Sequence, residues 1–278
     1  MTVALIDSGL GLVPTAGWLR HLAPQCDLLL LMDPEGAPWG SRTASYVTDR
    51  LLTAARTAVA RGARALVVPC NTATVTAIDL LRGEFEPDLP VVGTVPAVKP
   101  AAAGGRSVAV WATVRTTASA YQERLIAGFA QGIPVARVAC PGLAEAIDHA
   151  DTDATAAAIT AAAERTPDDC DAVVLGCTHY PLVAPRILES LPAGVTLYDS
   201  AEAVARQTLR RLDLPAAPDG GAERAAGTVE VRLSGRPGAL PAAALAYPVG
   251  RALAAGTRVP RGALLSGATR RPMAAAPN

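Results

Sequence analysis

Two cysteine motifs carry the strongest chemical signal in this sequence: VVPCNTATVTA around Cys70 and VVLGCTHYPLV around Cys177. Each follows a run of β-branched and aliphatic residues that reads as a short buried strand. In each, a hydroxyl-rich turn follows the cysteine. Two thiols at the C-terminal ends of equivalent strands can face each other across a cleft. Such a pair suits a reaction in which a proton leaves one face of a carbon and returns on the other. A free thiol titrates near ~8.5, so a useful thiolate base needs a neighbour that favours the anion. A histidinium or hydrogen-bond donors supply that. A bare carboxylate such as Asp7 works in the opposite sense, so Asp7 is better cast as a proton acceptor or an orienting group.

Other polar residues fall at the same kind of position. Asp7-Ser8, Cys70-Asn71-Thr72, Thr113 with Thr116, and Cys177-Thr178-His179 all end apolar strand-like runs. Ligands of open α/β sheets sit outside such strand ends. There is no G-x-G-x-x-G, and GLGLVP (9–14) has the spacing of neither a dinucleotide nor a P-loop fingerprint. No C-x-x-C or H-x-x-x-H pair exists, so no tetrahedral zinc site is expected. The expectation is a small polar substrate bound with no cofactor and no metal. Against this stands the plain reading that a cysteine after an apolar strand is a buried, inert residue. Cys26, Cys140 and Cys170 take that reading. Taken alone, Asp7 reads equally as a turn or cap residue, and His179 as a satisfied surface histidine.

The elements that must position these residues alternate along the chain. Strands are expected at Val3–Ile6, Leu28–Met32, Leu66–Val68 and Val91–Val92, then at Val108–Trp111, Val135–Val138, Val173–Leu175 and Val195–Tyr198. Helices are expected over 43–61, 72–82, 117–130, 142–163 and 200–212. Apolar strands separated by helices argue for parallel sheets covered on both faces. The order of signals repeats: IDSG (6–9) is answered by VWATVRTTAS (110–119), and CNTA (70–73) by CTHY (177–180). That is a duplication into two similar α/β halves. The expected boundaries are 1–97 plus 200–249 for the first domain and 98–199 for the second, with PAVKPAAAGG (96–105) as linker. VEVRL (229–233) is one more strand for the first half, 214–228 a polar loop, and 250–278 a flexible tail.

Composition narrows the class further. Half of the 278 residues are apolar and 18% are charged, which is enough for a sizeable core. With a formal net charge of zero, no nucleic-acid or anionic-membrane partner is expected. No apolar run approaches the ~20 residues of a membrane span. MTVALIDSGLG has no basic n-region and carries Asp7, so a cytoplasmic protein is expected. The five cysteines lack the dense spacing of a secreted disulfide scaffold.

The set DSG (7–9), PWG (38–40), CNTA (70–73), GTVPAVKPAA (from 93), AT-x-x-T-x-x-S (112–119) and GCTHYPLV (176–183) resembles the cofactor-independent glutamate racemases of the aspartate/glutamate racemase superfamily. The resemblance runs from about residue 2 to 213, with a fainter echo in VRLSGRPG (231–238). It implies two flavodoxin-like halves with parallel sheets and an active site at their interface. It also implies cofactor-independent interconversion of L- and D-glutamate by two bases, supplying D-glutamate for peptidoglycan or a specialised pathway. Cys70 and Cys177 correspond to the two bases, Asp7 to the group assisting the first and His179 to the group assisting the second. Ser8, Asn71, Thr72, Thr116 and Thr178, with Thr113 beside them, correspond to positions that hold the substrate's amino and carboxylate groups. The backbone of Pro38-Trp39-Gly40 corresponds to a loop over the substrate. An acid of the second half aligns best with Asp148, with Glu145 as the alternative. Family members are frequently homodimers. The sequence departs from the family pattern at DSGLGLVP, where Leu12 interrupts the usual glycine pair, and at Trp39, where a tyrosine is common. Two rivals stay open: a sibling acting on another amino acid, a hydantoin or a small diacid, and a non-catalytic amino-acid-sensing protein.

Overall fold

Apolar runs form parallel strands, and alanine-rich stretches form the helices between them. In chain order the first elements are β1 (Thr2–Asp7), α1 (Val13–Leu22), β2 (Asp27–Met32), α2 (Ala44–Ala60), β3 (Ala63–Val68), α3 (Asn71–Phe85) and β4 (Val91–Gly93). Next come α4 (Val98–Gly104), β5 (Val108–Ala112), α5 (Val114–Thr117), α6 (Ala120–Phe129), β6 (Val135–Ala139), α7 (Leu143–Asp148), α8 (Thr152–Ala163), β7 (Ala172–Leu175), α9 (Ala184–Ser190) and β8 (Thr196–Tyr198). The chain ends with α10 (Ala201–Arg211), β9 (Val229–Leu233), β10 (Arg236–Gly238), α11 (Pro248–Ala254) and β11 (Ala268–Arg270). This computed structural model describes residues 1–104, 107–217, 226–265 and 268–270.

The chain divides into two compact units. Met1–Val95 with Ala201–Leu264 forms the first, and Pro96–Ser200 with the strand at 268–270 belongs to the second. The first unit's sheet runs β10-β9-β2-β1-β3-β4, parallel except for the β9–β10 hairpin. The second unit's sheet runs β11-β8-β7-β5-β6, parallel except for β11 on β8. Within these, β2-β1-β3-β4 and β6-β5-β7-β8 are the same winding, the flavodoxin-like order. β1 therefore corresponds to β5, and β3 to β7. In both sheets the strand order reverses beside the central strand, and the crevice of such a fold opens at that reversal.

Each unit has its own core. In the first, Ile6, Leu29, Leu31, Leu66 and Val68 pack with Val47, Leu51 and Ala55 of α2, and with Trp39 and Cys70. In the second, Val108, Val110, Ala172 and Val174 pack with Val98, Ala101 and Leu125. Burying one aliphatic side chain of this size contributes about 1.5–3 kcal/mol before chain entropy is subtracted. Among the described residues no helix is long and apolar enough to cross a membrane.

The structure departs from the sequence expectations at several points, including α9 and β10, which carry none, and β11, which pairs with β8 inside the expected tail. The stretch 142–163 is two helices: Ala150 takes φ 53°, and the Asp151 carboxylate then caps α8 by accepting from the N–H groups of Asp153 and Ala154. PAVKPAAAGG is not a bare linker through its described residues, because Val98 and Ala101 of α4 are fully buried. The helix α1 carries no sequence expectation; Pro14 sits in its first turn, where a missing N–H costs nothing. The expected flexible tail is corrected for 250–264: Leu253 and Val259 are fully buried, and the Val259 carbonyl lies 3.0 Å from His21 Nδ1. Residues 105, 218–225 of the expected loop, and 266–267 and 271–278 of the expected tail lie outside the described residues.

Candidate active site

In the first unit, the strand ends β1 and β3 lie side by side and carry Asp7-Ser8 and Cys70-Asn71-Thr72. Asp7 is the last residue of β1 and is fully buried. Its carboxylate turns back on the chain, where Oδ1 accepts from the Ser8 backbone N–H at 2.7 Å. Cys70 is extended (φ −144°) and occupies the N-cap position of α3, with Asn71 as the first helical residue. The positive end of a helix dipole lies there and favours an anionic group. Cys70 and Asn71 are buried, and Thr72 is half-buried. The Pro38-Trp39-Gly40 turn lies beside this helix start: a Cβ placed on Gly40 would be 4.0 Å from the Thr72 hydroxyl. The Trp39 side chain is buried in the core that also holds Cys70, and its indole N–H donates to Asp33.

The second unit repeats the placement on β5 and β7. Thr113 caps the short helix α5 by accepting from the Thr116 N–H, and its hydroxyl donates to that of Thr116 at 3.1 Å. Cys177, half-buried Thr178 and buried His179 follow β7. The chain is drawn towards β5 by the Gly176 N–H, which donates to the Trp111 carbonyl at 2.7 Å. His179 joins two partners: its Nδ1 lies 3.6 Å from Cys177 Sγ and its Nε2 3.1 Å from Asp148 Oδ1. Asp148 closes α7, whereas Glu145, one turn earlier, is exposed. Burial alone would discharge the His179 imidazole. The Asp148 carboxylate, by charge and hydrogen bond, and then Cys177, outweigh burial and hold its pKa well above the ordinary value. An imidazolium so held presents N–H donors to both the carboxylate and the sulfur.

Behind this series lie Cys140 and Tyr180, neither assigned a site role by the sequence. Burial pushes the Cys140 thiol up to about 12, with the Tyr180 hydroxyl beside it. Cys140 thus stays a thiol, and the fully buried Tyr180 also stays neutral, its pKa raised first by burial and then by Cys177. Both uncharged groups interact with Cys177 electrostatically; Tyr180 lies in the CTHY motif, but its spacing gave no sign of a partner at Cys140.

A sequence profile of the Asp/Glu/Hydantoin racemase family aligns with residues 18–208. The chain belongs to this family. That membership makes it an isomerase. Among the family's glutamate racemases, the protein of Pseudomonas syringae pv. tomato is 41% identical over 217 residues, spanning 76% of this chain and 78% of that one. The crystal structure of Escherichia coli glutamate racemase in complex with L-glutamate and the activator UDP-MurNAc-Ala aligns with a TM-score of 0.74 at 31% identity. That alignment covers 88% of this chain and 91% of that one. Glutamate racemase from Thermus thermophilus in complex with β-chloro-D-alanine aligns with a TM-score of 0.66 at 28% identity, covering 95% and 98% of the two chains.

Proposed function

We propose that this family member interconverts L- and D-glutamate by two-base proton transfer, with Cys70 and Cys177 as the bases. The observation that carries the reading is the Cys177–His179–Asp148 series, with Cys177 following β7 as Cys70 follows the equivalent strand β3 of the other unit, where Asp7 ends the neighbouring β1. One cysteine, as thiolate, takes the α-hydrogen as a proton, and the C–H electron pair moves into the α-carboxylate. The other cysteine, as thiol, then gives its proton to the opposite face of the carbon and is left as the thiolate. The α-carbon of an amino acid is a very weak acid, so the charge developing on the carboxylate has to be met by fixed donors. Asn71, Thr72, Thr113, Thr116 and Thr178 are cast in that role, with Ser8 and the 38–40 backbone completing the hold on the amino and carboxylate groups. Holding both sulfurs at one carbon supplies the remaining acceleration by proximity. His179 and Asp148 serve the Cys177 side, and Asp7 serves the Cys70 side. Supply of D-glutamate for the cell wall, action in the cytoplasm without a cofactor, and assembly as a homodimer follow from the same family reading.

The test is proton NMR of L- and D-glutamate incubated separately with the protein in D₂O, with Cys70→Ser and Cys177→Ser alongside. The expected outcome is loss of the α-proton signal with appearance of the opposite enantiomer in the wild type, and no racemisation in either variant. Absence of exchange from both enantiomers with folded wild-type protein overturns glutamate as the substrate. A panel of aspartate, other amino acids and hydantoins would then identify the substrate of a sibling.

A further inference from the structure

The side-chain cluster around Asp33 has no part in the proton transfers, yet its carboxylate is held by four side-chain hydrogen bonds. Asp33 follows β2 directly and is buried. It accepts four side-chain hydrogen bonds: from Arg50 Nε at 2.7 Å, from the second nitrogen of the same guanidinium, from Trp39 Nε1 at 3.0 Å and from Ser234 Oγ at 2.8 Å. Its own carbonyl accepts from the N–H groups of Gly36 and Ala37, folding the chain that leads to the 38–40 turn. Gly36 is obligatory in this fold, since a Cβ there would collide with the Asp33 carboxylate.

Ser234 comes from the far end of the first unit. It opens the two-residue turn between β9 and β10, where Ser234 and Gly235 take φ 47° and 85°, the geometry of a tight hairpin. For serine that conformation is strained, and the hydroxyl held there both donates to Asp33 and accepts from the Glu35 N–H at 3.1 Å. A small cavity beside the cluster is lined by Asp33, Trp39, Arg50 and Ser234, and also by Asp7. Burial raises the Asp33 pKa, but its bonds to Arg50, Ser234 and Trp39 outweigh that and keep it ionised.

We propose that Asp33, Arg50 and Ser234 act as positioning residues, locking the Pro38-Trp39-Gly40 turn against the start of α3 and so setting how Cys70, Asn71 and Thr72 meet the substrate. The link is physical at each step. Asp33 fixes the Trp39 ring by its N–H, Trp39 packs in one core with Cys70, and Gly40 faces the Thr72 hydroxyl. The proposal rests on the racemase reading for its kinetic consequence and not for its structural one.

Two variants loosen the lock without removing its centre. Ser234→Gly keeps the positive φ and deletes only the hydroxyl. Arg50→Lys keeps the charge and loses the forked contact. The rate at which iodoacetamide alkylates Cys70 and Cys177 would be followed by peptide mass spectrometry in wild type and both variants. Cys70 modification is expected to rise about tenfold, as loss of one charge-assisted bond implies, while Cys177 stays within about twofold. In steady-state assays with glutamate, KM is expected to rise by about the same factor with kcat changed by less than about threefold. Parallel acceleration at both cysteines means general loosening and overturns the proposal, as does no change at either. A fall in kcat at constant KM overturns it too, because Asp33 would then serve the chemical step. Should the wild type fail to racemise glutamate, the functional reading falls alone, and the alkylation arm still decides the lock.

Discussion

The contrast between Asp148 and Glu145 shows what a single carboxylate does for the imidazole between it and a sulfur. Both acids lie near the residues that resemble the family's second-half acid, and the sequence left the choice between them open. In the structure only Asp148 bonds His179, while Glu145 faces solvent. The raised pKa of His179 means that its proton is kept as pH rises through the ordinary imidazole range and is lost only at a higher pH. Asp148→Asn removes the charge and leaves an amide of the same shape. The imidazole then releases its proton at lower pH, so support for charge on Cys177 disappears earlier. The alkaline limb of the rate profile is therefore expected to move to lower pH in Asp148→Asn and to stay in place in Glu145→Gln. Rate measurements from pH 6 to 10 check this, and an unmoved limb in Asp148→Asn would show that the histidine works without its carboxylate. Cys70, Cys177, Asp7 and His179 were legible in the sequence because each follows a run of strand residues and so must sit at a strand end. Asp33, Arg50 and Ser234 were not, because their meeting spans 201 residues of chain between Asp33 and Ser234. The one local trace was the Ser-Gly pair between VRL and RPG, a hairpin signal.

Secondary elements that lack a clean period were the ones the sequence hid. The strands β1 to β9 announced themselves as β-branched or aliphatic runs, and α2, α3, α6 and α10 as helical stretches between them, whereas the short β10 and β11 did not. The helix α1 carries Pro14 and Gly17 and is buried along its whole length, Arg20 and His21 included, so it shows no polar face by which a surface helix is recognised. What buries it is α10 on one side and α11 on another, and α11 lies in the stretch whose Ala, Gly and Pro content read as a tail. Tertiary packing, not local propensity, orders that segment. Arg261 adds a cation–π contact, its guanidinium carbon 4.6 Å from the Trp18 ring centre. Leu253 is fully buried on α11. Leu253→Ala removes three carbons from a site that neighbouring helices cannot fill completely, and a loss of about 2–5 kcal/mol is expected in urea unfolding. A loss below about 0.5 kcal/mol would mean that α11 rests on the first unit without contributing to its stability.

Across the whole molecule, one winding is used twice with different chemistry at corresponding strand ends. Asp7 stands at the end of β1 where Thr113 follows β5, and only the second unit has the His179–Asp148 pair. A racemase of glutamate cannot express that asymmetry in its net preference, because mirror-image substrates in water have equal free energy. The ratio of kcat/KM in the two directions is then fixed at one for wild type and every variant. The asymmetry has to surface in which proton transfer limits the rate. On the proposed two-base reading, Asp148→Asn is expected to weaken the Cys177 side alone. With α-deuterated substrate, the enantiomer that gives its deuteron to Cys177 now has its isotope-sensitive step slowed, and the isotope effect on kcat/KM rises towards its intrinsic value. The other enantiomer gives its deuteron to Cys70 and then waits for Cys177 to return a proton, so its isotope effect falls towards the equilibrium effect of the first transfer. Opposite movement of the two isotope effects, with the kcat/KM ratio unchanged, is the expected outcome. Equal movement in both directions would show that His179 and Asp148 serve both transfers, and the assignment of one helper set to each cysteine would fail.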